Sequence, residues 1–386
     1  MRKKIAIVFN RMIVGGVEKA LLNFLRAIDT ERYDVTLFTF NDKSPHYDEL
    51  PADITVRFTA CDHSKAQFWN DIKHLRIKGI ANGIYCRVMI RVCQDEYKKF
   101  TYSILSYPKL PGHFDCAIAY KFGWEDTAMI LKKIDADKKC AWLHGSVGND
   151  RGTRRWLNRV LPKIQHIFCV SEDCKKQLDQ VCPEHRHKTQ VFYNLLSAQE
   201  IIEKGKEQAE FMLRHTAIVT VGRLASEKGQ TMIPKATRLL LDAGYDVFWY
   251  LVGDGDQRKT IEAEIQKYDV AEHVILLGTQ MNPYPYIKNC DIYVQTSFSE
   301  GWCLTVQEAR ILQKPIVTTP LPVMHEQIIS GENGLIAEAV TPEALFEGIR
   351  TLLDHPELQA KFVENLSHEV CDNSGELQKL YDFIES

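Results

Sequence analysis

Short apolar runs of strand length, separated by loops and by segments with apolar residues at helical spacing, constrain the fold of this chain more than any other feature. Lys4–Asn10 (KIAIVFN) reads as a buried parallel strand, and after a loop at 11–16 the residues Val17, Ala20, Leu21, Phe24, Leu25 and Ile28 recur at helical spacing. Strand, glycine pair and helix make the opening of a doubly wound α/β unit, although the full G-x-G-x-x-G fingerprint is missing. Further strands are expected at Asp34–Phe40, Ile54–Phe58, Cys116–Tyr120, Lys139–Leu143 and Ile167–Val170, with Val191–Asn194 closing a first half. A second series runs through Ala217–Val221, Phe248–Val252, Val274–Leu277, Asp291–Gln295 and Pro315–Thr319. Helices from Pro342 to Leu353 and from Pro356 onward end it.

At 386 residues the chain exceeds what one core usually serves. Two doubly wound, Rossmann-like domains are expected, 1–195 and 196–375, with the polar stretch Ser197–Gln208 as linker. A terminal helix, 376–386, is expected to cross back onto the first domain. The net charge of -3 hides an asymmetry: residues 1–195 hold 32 Lys and Arg against 22 Asp and Glu, and residues 196–386 hold 16 against 29. The first half therefore prefers anionic surroundings.

The 11 cysteines include no C-x-x-C pair, which points to reduced thiols in a cytoplasm rather than to a zinc site or disulfide framework. No signal-peptide core follows Met1 and no run is long enough to span a bilayer, so a soluble or peripheral protein is expected. Residues 63–109 interleave Trp69, Ile72, Ile80, Ile84, Val88 and Val92 with Lys73, Arg76, Lys78, Arg87 and Arg91. Two readings stand: an amphipathic surface on an anionic membrane, or core-packed helices with a solvated basic face. No nucleic-acid motif accompanies these residues, and no nucleic-acid partner is expected.

Chemistry concentrates in loops that leave the ends of the expected strands, where open α/β sheets bind ligands. Ser297–Ala309 (SFSEGWCLTVQEA) joins a strand to a helix, with Glu300 on the loop and Glu308 two turns into the helix. Gly301 removes a side chain where the helix begins and leaves amides near Cys303 and Leu304 for a phosphate. A carboxylate such as Glu308 can accept two hydrogen bonds from a ribose diol. After Val221 the run Gly222–Gly229 (GRLASEKG) offers Arg223 and Lys228, a planar fork and a point charge suited to a diphosphate. Gly15 and Gly16 would let a diphosphate approach the backbone, or make a plain tight turn. His144, in W-L-H-G after a strand, is a further site candidate. Arg151, Arg154, Arg155 and Arg159 follow, for a charged acceptor or lipid phosphate, or as a solvated helix face.

Glu300 and Glu308, eight positions apart around a glycine-containing loop, resemble the E-x7-E motif of the retaining family-four glycosyltransferases of GT-B fold. G-R-x4-K-G at 222–229, the glycine pair and the W-L-H-G histidine resemble that family in the same order. The resemblance is strongest from Val219 to Gly334 and weakest from Asp42 to Pro111. It implies two facing domains with a cleft between them, and transfer of a hexosyl group from a nucleotide-diphosphate sugar, expected to be a UDP-sugar, with retention. It further implies that Arg223 and Lys228 bind the diphosphate, Glu308 the ribose and Glu300 the sugar hydroxyls. Gly15, Gly16, Gly301, Cys303 and Leu304 would line the donor, with His144 contacting the donor sugar from the N-terminal domain. No metal and no resident cofactor are implied, so Asp254-Gly255-Asp256 is expected to be a turn and not a metal-binding D-x-D. The expected acceptor is a saccharide on a lipid diphosphate, in the synthesis of a bacterial surface polysaccharide or capsule. Trp302 and Cys303 depart from the small or aromatic-then-glycine residues common in the family. Two rival readings are a catalytically silent glycosyltransferase-like partner subunit and a UDP-sugar epimerase of the same architecture.

Overall fold

The computed structural model describes residues 2–10, 15–40, 45–58, 72–74, 84–85, 88, 104, 107, 109–210, 213–214, 216–369 and 372–386. The basic segment 63–109 lies largely outside the described residues, and so do residues 11–14 of the loop beside Gly15. The chain forms two compact units, residues 1–195 with 374–386, and residues 196–373.

The first unit is built on a parallel sheet of seven strands in the order β3-β2-β1-β4-β5-β6-β7. These are β1 (Lys3–Val8), β2 (Tyr33–Thr39), β3 (Thr55–Phe58), β4 (His113–Ala119), β5 (Asp135–Leu143), β6 (His166–Cys169) and β7 (Thr189–Val191). The helix Gly16–Ala27 buries Ala20, Leu21, Phe24 and Leu25 on the sheet, as their spacing requires. The core is aromatic: the Trp142 ring lies 5.5 Å from Phe24, 5.6 Å from Tyr120, 4.3 Å from Phe168 and 5.1 Å from Phe192. Each such side chain contributes roughly 1.5–3 kcal/mol by leaving water. The terminal helix Glu376–Glu385 packs within this unit, where Tyr381 stacks on Tyr33 at 5.0 Å and its hydroxyl accepts the Asp29 amide at 2.9 Å.

The second unit has a six-stranded parallel sheet in the order β10-β9-β8-β11-β12-β13. Its strands are β8 (Ala217–Val221), β9 (Phe248–Val252), β10 (Val274–Gly278), β11 (Ile292–Gln295), β12 (Ile316–Thr318) and β13 (Leu335–Ile336). Ile218, Trp249, Leu251, Ile292, Val294 and Val317 join Leu240, Ile261 and Ile349 in its core. The order reverses between β8 and β11, which pair in parallel with Ile292 opposite Ile218 and Tyr293 opposite Val219. Loops leaving the C-terminal ends of two such strands diverge to opposite faces and open a crevice.

The stretch expected to be a linker departs from that expectation. Ser197 caps a helix, Ala198–Lys204, by accepting the Glu200 amide at 3.2 Å, and Ile201 is buried. The polar composition of Ser197–Gln208 reflects an outer helix face rather than a free connection. After the loop Gly222–Gly229 the next helix starts at Ile233, following two short 3-10 turns at Ser226–Lys228 and Gln230–Met232.

Candidate functional site

In the second unit the two loops flanking the reversal are the ones that carry the sequence-singled residues. The loop after β8 holds Arg223 and Lys228, and the loop after β11 holds Glu300, Gly301 and Cys303. Parallel pairing of β8 with β11 brings them together: Lys228 Nζ donates to Glu300 Oε1 at 2.6 Å across 72 positions of sequence. The Lys228 side chain is 22% exposed and that of Glu300 is 8% exposed. Burial opposes the charge on Lys228, but Glu300 and neighbouring acceptors outweigh it and raise the ammonium above its ordinary range.

Gly229 makes this approach possible. It stands at φ 66°, and a Cβ there would lie 2.1 Å from the Thr296 carbonyl oxygen. The β8 loop is supported on its other side by the turn after β9, where a Cβ on Gly253 would lie 2.1 Å from the Gly222 carbonyl oxygen. Leu224 N donates to Asp254 O at 3.1 Å and Gln257 N to Leu224 O at 2.9 Å. Asp254 itself accepts from Arg258 Nη1 at 3.3 Å and from the Gly255 amide at 2.7 Å. The D-G-D segment is thus a turn that braces the loop carrying Arg223.

Glu300 is held by residues the sequence reading did not single out. Ser297 Oγ donates to Glu300 Oε1 at 2.6 Å and Gln295 Nε2 donates to the same oxygen at 3.3 Å. Gln295 Oε1 in turn accepts from Tyr293 at 2.8 Å and from Thr305 at 3.1 Å. Positions 293, 295 and 297 alternate along one strand direction and share a face, while Ile292 and Val294 point into the core. A polar residue at every second position of an otherwise buried strand was the available signal. Among the described residues all three hydrogen bonds to Glu300 meet Oε1, which leaves Oε2 for a ligand.

The helix after this loop is Leu304–Ile311, with Cys303 as its N-cap residue. Glu308 is buried one turn into it, not two, because the helix begins at Leu304. Glu308 lies close enough to Tyr293 to raise that phenol, whose main perturbation is burial. The left-handed conformation falls on Cys303, at φ 66° and ψ 74°, and not on Gly301. Burial first, and then Glu300, push the Cys303 thiol up to about 12, so it is a neutral, inert group at the site. Arg223 is the outlying member of the set: its side chain is 62% exposed and pairs with Glu227 at 2.7 Å.

The remaining candidates belong to the first unit. Gly15 caps the helix Gly16–Ala27 in an extended conformation, and a Cβ on it would lie 2.5 Å from Glu18 Oε2. The chain's own carboxylate thus lies against Gly15, and a diphosphate there would meet it first. His144 follows β5, and its Nε2 donates to the Tyr120 carbonyl at 2.8 Å, which assigns the proton to Nε2 and leaves Nδ1 as an acceptor. Burial pushes His144 down to about 4, only partly offset by that carbonyl, so the ring is neutral near pH 7. Asp126, at the start of the helix Trp124–Lys132, is a second buried titratable group; burial raises its carboxyl well above the usual range. Arg151, Arg154 and Arg155 lie on the exposed face of the helix Arg151–Val160, which buries Trp156, Leu157 and Val160 and is capped by Asp150. Arg154 Nε donates to Asn149 Oδ1 at 2.6 Å. Among the described residues no three His, Cys, Asp or Glu side chains cluster as a metal site, and no helix is long and apolar enough to cross a membrane.

With this geometry in hand, comparison with solved structures identifies the architecture. HepE of Anabaena, solved in complex with UDP and glucose, superposes with a TM-score of 0.74 over 100% of both chains at 16% identity. The fold is GT-B. Residues 202–368 match the model of the Glycosyl transferases group 1, so the second unit, with the Lys228–Glu300 pair, is the part the family model recognises. An uncharacterized glycosyltransferase of Methanocaldococcus jannaschii is 28% identical over 231 residues, 58% of this GT-B chain and 60% of that protein's length. The N-acetylgalactosamine-N,N'-diacetylbacillosaminyl-diphospho-undecaprenol 4-alpha-N-acetylgalactosaminyltransferase of Campylobacter jejuni is 22% identical over 361 residues, 93% of each chain. Together these comparisons support a glycosyltransferase.

Proposed function

We propose that this chain transfers a hexosyl group from a nucleotide-diphosphate sugar, a UDP-sugar, to a saccharide carried on a lipid diphosphate, with retention at the anomeric carbon and without a metal. The observation that carries the reading is the ion pair of Lys228 with Glu300 at 2.6 Å, four residues before the start of the helix Leu304–Ile311. A departing diphosphate builds up negative charge, and a fixed cation with helix-start amides stabilises it where water is excluded. Glu300, oriented through Oε1 by three donors, offers Oε2 to the sugar hydroxyls. Buried Glu308 is assigned to the ribose, and Arg223 exchanges Glu227 for the diphosphate. The UDP and glucose of the Anabaena structure and the diphospho-undecaprenol named for the Campylobacter relative support the choice of donor and acceptor class. For the first unit the proposal is acceptor recognition: the exposed guanidinium groups of Arg151, Arg154 and Arg155 suit a lipid diphosphate at the inner face of the membrane, and neutral His144 offers Nδ1 to a hydroxyl.

The test is donor turnover in the presence of EDTA with a panel of UDP-, GDP- and dTDP-sugars, reading released nucleotide diphosphate beside a Glu300→Ala variant. Slow release from one donor, lost in the variant, identifies the donor and supports the assignment. Absence of both release and nucleotide binding with every donor refutes it and favours a silent partner subunit.

A further inference from the structure

The loop 301–304 is held in a conformation that the donor reading alone does not explain. Cys303 occupies the left-handed region, where a side chain costs energy, and such residues persist when their surroundings over-determine them. The residue that holds it is Gln327, which follows the short 3-10 turn Pro322–Glu326 and is 2% exposed. Gln327 Nε2 donates to the Trp302 carbonyl and, at 3.4 Å, to the Cys303 carbonyl. The Trp302 indole closes the loop from its other end by donating to Gln307 Oε1 at 2.7 Å. Gln327 is anchored in turn: its amide donates to Met324 O at 3.0 Å and its carbonyl accepts from Asn333 Nδ2 at 3.4 Å.

A trans peptide is planar, so its C=O and N–H point in opposite directions. Drawing the Trp302 carbonyl toward Gln327 aims the Cys303 N–H away from it; the Cys303 carbonyl, which also accepts the Val306 and Gln307 amides at 3.2 and 3.4 Å, is held by Gln327 and the helix start together, which fixes the Leu304 N–H in the same way. Among the described residues neither amide donates to a backbone carbonyl. A buried glutamine is costly unless its amide is used, and here its donor edge is spent on these two carbonyls.

We propose that Gln327 is a positioning residue that orients the Cys303 and Leu304 amides toward the β-phosphate of the donor. This rests on the nucleotide-sugar reading of the same site. Gln327 touches no substrate; it acts through the loop. Its effect is confined to ligands that carry a second phosphate.

The experiment compares binding of UDP with UMP, GDP with GMP and dTDP with dTMP by calorimetry, for wild type, Gln327→Met and Gln327→Leu. For the nucleotide that wild type binds, the diphosphate is expected to weaken about tenfold in the variants while the monophosphate is unchanged, the scale of one charge-assisted hydrogen bond. Equal weakening of both ligands, or of neither, in a folded variant overturns the proposal and leaves the donor reading standing. Hydrogen exchange on wild type gives a second readout that needs no variant. The Cys303 and Leu304 amides are expected to gain protection with the diphosphate and not with the monophosphate; equal or absent protection overturns the proposal. A wild type that binds no nucleotide removes both readings together.

Discussion

Lys228→Met isolates the charge of Lys228 from its bulk, and the structure sets what its loss costs. Two unit charges 2.6 Å apart attract by about 6 kcal/mol at an effective dielectric of 20. Desolvation of two ions takes back several kcal/mol each, so the net value of the pair is small while removal of one partner is not. The variant strands Glu300 at 8% exposure, with Ser297 and Gln295 still donating at 2.6 and 3.3 Å. Those two bonds soften a typical penalty of 3–5 kcal/mol to about 3 kcal/mol. Adding Glu300→Gln removes the stranded charge and keeps an acceptor for Ser297, so the double variant is expected to be more stable than Lys228→Met alone. Because the Lys228 pKa is raised, this contribution is complete at neutral pH and is lost only as pH rises through the folded-state value. Urea unfolding at pH 7.5, following the tryptophans of the second unit, measures both, and 0.5 M NaCl should change the result little because the pair is shielded from solvent. The reasoning is refuted if Lys228→Met costs under about 1 kcal/mol or if the double variant is the less stable of the two.

Gly229→Ala forces a Cβ to within 2.1 Å of the Thr296 carbonyl oxygen at φ 66°, and is expected to destabilise the second unit by at least about 2 kcal/mol; a shift in urea midpoint equivalent to under 0.5 kcal/mol would show that the two loops separate easily. For His144 the folded pKa of about 4 lies below the free value of 6.5, so protonation favours the unfolded chain. Its contribution is whole above about pH 6.5 and falls as pH drops through 4, by at most about 3 kcal/mol and less in proportion to the ring's partial exposure. His144→Gln should therefore lose less stability than wild type between pH 7 and pH 4.5, and parallel losses in the two proteins would count against a depressed pKa.

Much of the fold was legible because the signal is local. Buried parallel strands are short apolar runs whatever their neighbours, so Ala217–Val221 and Phe248–Val252 coincide with β8 and β9. The helix Gly16–Ala27 follows directly from its apolar spacing. The misread linker has the same physical basis in reverse: a seven-residue helix that buries little beyond Ile201 has hardly any apolar period to detect. The site was legible in part. Residue types suited to a diphosphate stood out at Arg223 and Lys228, and the polar alternation at Tyr293, Gln295 and Ser297 was visible without its meaning, which depends on the contact with Glu300; Gln327 looks unremarkable in a sequence, because its role depends on which carbonyls it reaches.

What the sequence by itself determined is that two strand-end loops carry a cation and a carboxylate, and that the first of them ends on the glycine its turn needs, Gly229. Only the tertiary structure decided that these loops meet. Adjacency of β8 and β11 is set by strand order, a property of non-local pairing with no local signature, and it alone closes 72 positions of chain to a contact of 2.6 Å. The same packing sets a left-handed residue at Cys303, where no local signal in the sequence calls for one, because contacts from Gln327 and Gln307 shape that loop.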